Sequence, residues 1–309
     1  MFFETFVRSV RQKLNVRLIS GPSKGYKNRG ILNLPVDYRG TRKMSENDEI
    51  LISLDDGIKT LTINLPEKLN ALSADNALRM AKEVEKSEED GTRVIVLTGA
   101  GGAFCAGADL TQKGFEKLGQ PDAPTEQFMD ELVSTTYHRL SNAVYKIPRP
   151  VIAAVDGVAA GFGISLAMNA DITLASDRAR FIEVFINISL IPDGGSTYIL
   201  PKIVGLKKAL EMMFTGDAVL AEEALRLNMV NRVYTPEELM DKTAEWARKL
   251  ADGPVKSMGI AKRMVYEAYL MNSDQALDME GRRQARLMAQ PDFFNAVLAF
   301  YQKKKPTYS

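Results

Sequence analysis

Two β-branched runs in this chain each break into a glycine-rich turn and then open a helix-like stretch. This repeated pattern limits the chain to an α/β fold. The first run is Val94-Ile-Val-Leu-Thr-Gly99, followed by Gly102-Ala-Phe-Cys-Ala-Gly-Ala-Asp-Leu110. The second is Val151-Ile-Ala-Ala-Val-Asp-Gly157, followed by Val-Ala-Ala-Gly161-Phe-Gly163. Turns of this kind leave backbone N–H groups unpaired and pointing outward. Two such groups that converge, one at a helix N-terminus, stabilise an oxyanion without any side-chain chemistry. A third segment, Leu190-Ile-Pro-Asp-Gly-Gly-Ser-Thr197, places Asp193 in a tight turn.

Local patterns fill in the rest. Ile50–Leu54 and Ile58–Asn64 read as strands joined at Asp55-Asp-Gly57, a hairpin turn. Ser73–Asp90 reads as a helix with Ser73 as N-cap and Gly91 as its end. Gly114–Pro124, with its glycines and prolines, reads as a mobile loop over a substrate site. Thr125–Ile147 reads as one helix stopped by Pro148 and Pro150. Ile152–Val155, Ile172–Ala175 and Arg180–Val184 read as strands, and the pattern after Leu206 is helical to the end.

Composition narrows the class. The 309 residues are 45% hydrophobic and 26% charged, ordinary for a globular protein. The lone Cys105 excludes a disulfide within the chain and suggests a reducing compartment. One histidine and one cysteine cannot form a His/Cys metal cluster, so no metal is expected. Val151 to Ala170 carries a single charge, Asp156, but its glycines, Ser165 and Asn169 favour a buried strand–turn–helix over a membrane span. Charge is uneven: residues 1–43 hold ten Lys/Arg against two acids, and the remainder 30 against 37. That basic arm reads as an extension, probed by three alternatives. It is an Arg-rich transit peptide, an arm that touches nucleic acid or membrane, or sequence upstream of a true start at Met44.

Leu65-Pro66, Asn70-Ala-Leu-Ser73, Phe104-Cys-Ala-Gly-Ala-Asp109, Pro150-Val-Ile-Ala-Ala-Val155 and Thr215-Gly216 follow one another in an order that resembles the crotonase (enoyl-CoA hydratase/isomerase) superfamily. The resemblance spans roughly Glu49 to Pro306. It implies a ββα spiral core over 44–245 and a C-terminal helical trimerisation region over 246–309, assembled as a homotrimer or a dimer of trimers. It also implies an acyl-CoA thioester substrate, with CoA arriving as part of the substrate and no separate cofactor. The two oxyanion N–H groups map onto Ala108 and Phe162. CoA is expected along Lys68, Leu69 and Ala71 and along Ala106, Asp109 and Leu110, with Lys68 the candidate for phosphate. Asp109 itself more simply fixes its turn.

Hydratases of this family use two glutamates, at the positions of Ser165 and Phe185. Neither residue here ionises, so ordinary hydration is disfavoured. Asp193 matches the single catalytic carboxylate of enoyl-CoA isomerases and of phenylacetate-pathway isomerases. One base suffices to move a double bond: it takes a proton at one carbon and returns it two carbons away. His138 matches the catalytic histidine of 4-chlorobenzoyl-CoA dehalogenase, where a carboxylate at the Asp193 position attacks the ring. A hydrolase or dehalogenase using Asp193 and His138 is therefore the alternative, and a non-catalytic or RNA-binding homologue is a third. Glu183 serves as an acid only if its loop shifts. The expected enzyme is an enoyl-CoA isomerase of the cytoplasm, or of the mitochondrial matrix if residues 1–43 are a transit peptide. Membrane and nucleic-acid partners are not expected.

Overall fold

Asp56 and Gly57 both take positive φ, 46° and 78°, as a two-residue hairpin turn requires. They join β1 (Ile50–Asp55) to β2 (Ile58–Ile63) in antiparallel register, with Asp55 opposite Ile58. The computed structural model describes residues 48–112, 115 and 124–309. The basic arm 1–43 and nearly all of the 114–124 stretch lie outside the described residues.

After the hairpin every strand added to the main sheet pairs in parallel. Helix α1 (Ala74–Lys86) links β2 to β3 (Val94–Gly99), and Ser73 caps it by accepting the Asn76 N–H. Strands β4 (Val151–Val155), β5 (Val158–Ala160), β6 (Ile172–Ser176) and β7 (Arg180–Ile182) follow. The main sheet has the order β1-β2-β3-β4-β6-β9, where β9 is Arg232–Tyr234. A smaller sheet has the order β5-β7-β8, where β8 is Val219–Leu220.

Strands β3 and β4 are buried on both faces, as central parallel strands should be. Their side chains alternate between two apolar layers. Ile95, Leu97, Val151 and Ala153 pack with Ala77, Met80, Ala81 and Val84 of α1. Val94, Val96, Ile152 and Ala154 pack with Leu239, Ala247 and Ala251. The latter three lie on one face of a later helix, Pro236–Ala251, opened by a Thr235/Glu238 capping box. That helix runs straight through position 245, where the sequence suggests the core ends.

Three expectations need correction. The helix expected over 125–147 is two helices, α2 (Glu126–Thr135) and α3 (Tyr137–Lys146), broken at Thr136 with φ −120° and ψ −79°. The expected Arg180–Val184 strand stops at Ile182, and Val184–Ile188 forms a 3-10 turn. The chain after Leu206 is not helical throughout, because β8 and β9 return to the sheets. The remaining helices are α4 (Phe162–Met168), α5 (Ser196–Val204), α6 (Leu206–Thr215), α7 (Ala221–Arg226), α8 (Pro236–Ala251), α9 (Val255–Ala268), α10 (Ser273–Met288) and α11 (Pro291–Tyr301). The last three expose large apolar side chains, among them Val265, Leu277, Phe294, Phe300 and Tyr301. No helix among the described residues is long and apolar enough to cross a membrane.

Candidate active site

The first glycine-rich turn is stitched to the Leu69–Leu72 segment by three backbone bonds. Ala106 N–H donates to Leu69 O (3.0 Å), Leu72 N–H to Gly107 O (2.8 Å) and Asp109 N–H to Leu72 O (2.7 Å). Ala108, between these donors, is left over: among the described residues its N–H has no partner. The second turn reaches the same place from β5, which pairs with Cys105 through Ala160 N–H to Cys105 O (2.9 Å). Gly161 then bends the chain with φ 54°, and α4 starts at Phe162. As the first residue of a helix, Phe162 has an N–H with no intrahelical acceptor, and no other described group accepts it. The two turns nearly touch, since a Cβ built on Gly107 would lie 3.5 Å from Phe162 N. Gly107, the neighbour of Ala108, thus lies against the Phe162 amide.

Asn70, fully buried, is the pin that holds this spot. Its Nδ2 donates to Ala100 O (2.8 Å) and Ala103 O (2.6 Å), and its Oδ1 accepts the Leu65 N–H (2.8 Å). Tyr137 adds a second pin by donating its hydroxyl to Leu72 O (2.9 Å). The Phe162 ring is buried edge-to-face against Tyr137, with centroids 5.0 Å apart.

Asp193 lies on a third turn, just before the helix Ser196–Val204. Its turn is held by Ser165 Oγ donating to Asp193 O (2.8 Å) and by Asn169 Nδ2 donating to Gly194 O (2.7 Å). Gly194 has φ 61°, and a Cβ there would meet Phe162 Cδ2 at 3.0 Å, so the Asp193 turn lies directly on Phe162. The Asp193 carboxyl is half-buried, and among the described residues its buried Oδ1 has no hydrogen-bond partner. Burial raises its pKa above the usual 3.8, while the field of His138 opposes that rise. His138, on α3, also lines a cavity of about 360 Å³ with Ser141, Asn142, Asn169 and the Gly194–Gly195 turn.

The remaining expected residues separate into two groups. Lys68 Nζ pairs with Asp109 Oδ2 (2.9 Å), and that bond raises the lysine pKa. Burial disfavours the Asp109 charge, but bonds from Thr111 and Lys68 outweigh it and hold the carboxyl below its ordinary range. Asp109 therefore braces its turn. Leu69, Ala71, Ala106 and Leu110 lie on the two stitched segments beside it. Cys105 is a buried core thiol, pushed up to about 12 by burial. At the two positions where hydratases carry glutamate, Ser165 is committed to the Asp193 turn and Phe185 is a buried apolar side chain. Glu183 had only a minor place in the sequence reading, yet it is a fully buried carboxyl. Burial, opposed by a Ser196 hydrogen bond and aided by the charge of Asp193, pushes it up to about 7. Its signal in the sequence is a lone acid between the apolar pairs Phe181-Ile182 and Val184-Phe185.

Among the described residues, two amides without an acceptor and a half-buried carboxyl thus sit on turns that pack about Phe162, a make-up that can stabilise an oxyanion beside an acid–base group. The family model described as enoyl-CoA hydratase/isomerase matches residues 53–309, and the chain belongs to that family. It is 35% identical over 262 residues to a 1,2-epoxyphenylacetyl-CoA isomerase of Escherichia coli K12, covering 84% of this chain and 98% of the relative. A trans-2-decenoyl-acyl-carrier-protein isomerase of Streptococcus mutans is 32% identical over 84% of this chain and 98% of its own length. A 4-chlorobenzoyl coenzyme A dehalogenase of an Arthrobacter species is 30% identical over 84% and 94%. The crystal structure of an enoyl-CoA hydratase of Mycobacterium smegmatis superposes with a TM-score of 0.76 at 30% identity, covering 84% of this chain and 98% of the other.

Proposed function

We propose that the protein is an acyl-CoA isomerase that moves a double bond by proton transfer. Asp193 is its one acid–base carboxylate, and the Ala108 and Phe162 amides form the oxyanion hole. The observation that carries this reading is the buried, partnerless Oδ1 of Asp193 on a turn packed against Phe162. Asp193 takes a proton from C2 of a 3-enoyl thioester. The charge moves to the thioester oxygen, where two fixed N–H donors stabilise it. The same carboxyl then returns the proton at C4. A free aspartate, with a pKa of about 3.9, is too acidic for that return; burial moves Asp193 in the useful direction.

Hydration needs a second acid–base group to hold water. The Ser165 hydroxyl is committed to Asp193 O, and Phe185 cannot ionise. CoA runs along Lys68, Leu69 and Ala71 and along Ala106, Asp109 and Leu110. The Lys68 side chain, 46% exposed, remains able to meet phosphate beside its Asp109 bond. No metal or redox group takes part. The exposed apolar faces of α9 to α11 form the contacts of a homotrimer.

A second reading has one observation in its favour: the field of His138 reaches Asp193, and His138 borders the adjoining cavity. In that reading Asp193 attacks an aryl thioester and His138 activates water. A panel of 3-enoyl-, 2-enoyl- and 4-halobenzoyl-CoA, with products identified by mass and ultraviolet spectra, separates the two. Double-bond migration without hydration or halide release is the expected result, and halide or free CoA as the main product would overturn it.

A further inference from the structure

Glu183 joins the two halves of the site. It follows Ile182, whose carbonyl takes the Gly161 N–H (3.0 Å) at the turn that sets Phe162. Its carboxyl Oε1 accepts the hydroxyl of Ser196, the first residue of α5. The Ser196 N–H in turn donates to Asp193 O (3.1 Å) and closes the catalytic turn. The other oxygen, Oε2, is buried with no partner among the described residues. A merely structural acceptor for Ser196 would be met by an amide or a second hydroxyl. A carboxyl with one oxygen unpaired and no cation against it carries a desolvation penalty of several kcal/mol when charged.

We infer that Glu183 is a positioning residue of the reaction. Acting through Ser196, it holds the turn that aims Asp193 and keeps a second carboxyl behind that turn. This inference rests on the reading of Asp193 as the acid–base group. Among the described residues the charged group whose field acts on Glu183 is Asp193, on the turn before α5. Asp193 itself faces His138 on α3. Tyr137, also on α3, has a hydroxyl held neutral by burial well above its ordinary range. Burial, with the charge of Asp193 adding to it, keeps the proton on Glu183 up to about pH 7. At higher pH Glu183 ionises, strengthening its hold on the Ser196 hydroxyl and adding a negative charge behind the Asp193 turn.

The test is the pH profile of kcat and KM for double-bond migration in wild type, Glu183→Gln and Ser196→Ala. Wild type should lose rate above neutral pH. Whatever its rate at low pH, Glu183→Gln should hold that rate through the range where wild type falls. Ser196→Ala should lose about tenfold in kcat with KM changed only a few-fold, since it loosens aim rather than binding. Infrared difference spectra of wild type minus Glu183→Gln, taken without substrate, should show a protonated carboxyl band in acid that fades in alkali. An unchanged alkaline limb in Glu183→Gln, unchanged kcat in Ser196→Ala, or no such band would each overturn the inference. Asp193→Asn run alongside separates the two readings. Full activity there overturns the isomerase mechanism, whereas an inactive Asp193→Asn with an unchanged Glu183→Gln profile overturns only the role of Glu183.

Discussion

Glu183→Gln also makes a prediction about stability, independent of any substrate. A carboxyl that ordinarily titrates at 4.5 holds its proton to about 7 in this fold. At roughly 1.4 kcal/mol per pH unit, the folded state binds that proton ~3 kcal/mol more tightly than the unfolded chain. The unfolded chain sheds it first as pH rises, so this group's contribution is fully present below pH 4.5 and is lost as pH rises through about 7. Glutamine has the same shape, still accepts the Ser196 hydroxyl and does not titrate. The unfolding free energy of the variant minus that of wild type should therefore increase by up to ~3 kcal/mol between mildly acid and mildly alkaline solution. Urea titrations followed by circular dichroism at the two extremes measure it. Asp193, also raised by burial, titrates in both proteins and largely cancels in the difference. Parallel pH dependences for the two proteins would refute the account of Glu183 as a carboxyl that stays neutral through burial.

Three further outcomes follow from named contacts. Wild type should hydrate crotonyl-CoA negligibly, because Ser165 serves the Asp193 turn and Phe185 is apolar; a robust hydration rate by the loss of enoyl absorbance would contradict this. His138→Ala should give no covalent adduct with 4-halobenzoyl-CoA by intact-protein mass, and an adduct on Asp193 would favour the hydrolytic reading. Gly163→Ala should destabilise the fold by about 1–3 kcal/mol in urea, since its Cβ would lie 2.1 Å from the Cys105 carbonyl oxygen, a backbone atom that cannot swing away. A neutral effect would mean the two turns are not held as described.

Much of this architecture was readable from residues whose job is local. The hairpin at Asp56-Gly57 needs only positive φ. The cap at Ser73 needs only a side-chain oxygen. The apolar runs of β3 and β4 announce strands covered on both faces. The glycine-rich turns that carry Ala108, Phe162 and Asp193 were legible as turns, while the roles of these residues came from the family resemblance. What was hidden depends on tertiary contacts. The break at Thr136 has no glycine or proline to signal it. The short strands β8 and β9 exist because sheet edges recruit them, since Arg232–Tyr234 pairs with Leu174–Ser176. The bracing roles of Asn70, Ser165 and Asn169 join segments up to 33 residues apart, and no spacing rule reveals them. Glu183 looked like an ordinary acid, because its burial is set by Ser196 and by the strand beside Gly161.

The central claim is that one carboxylate, Asp193, carries the proton. Asp193→Asn keeps the size of the side chain and the backbone bonds of its turn, and removes the charge. The decisive measurement is single-turnover conversion of a 3-enoyl-CoA in deuterated water by wild type and Asp193→Asn, with binding of the product ester measured on both. The account predicts migration of the double bond in wild type. In Asp193→Asn it predicts loss of at least about a hundredfold in rate, of the order of a lost general base, with ester binding within a few-fold. An Asp193→Asn protein that keeps more than about a tenth of the wild-type rate would contradict it, because removing a required base costs more than that.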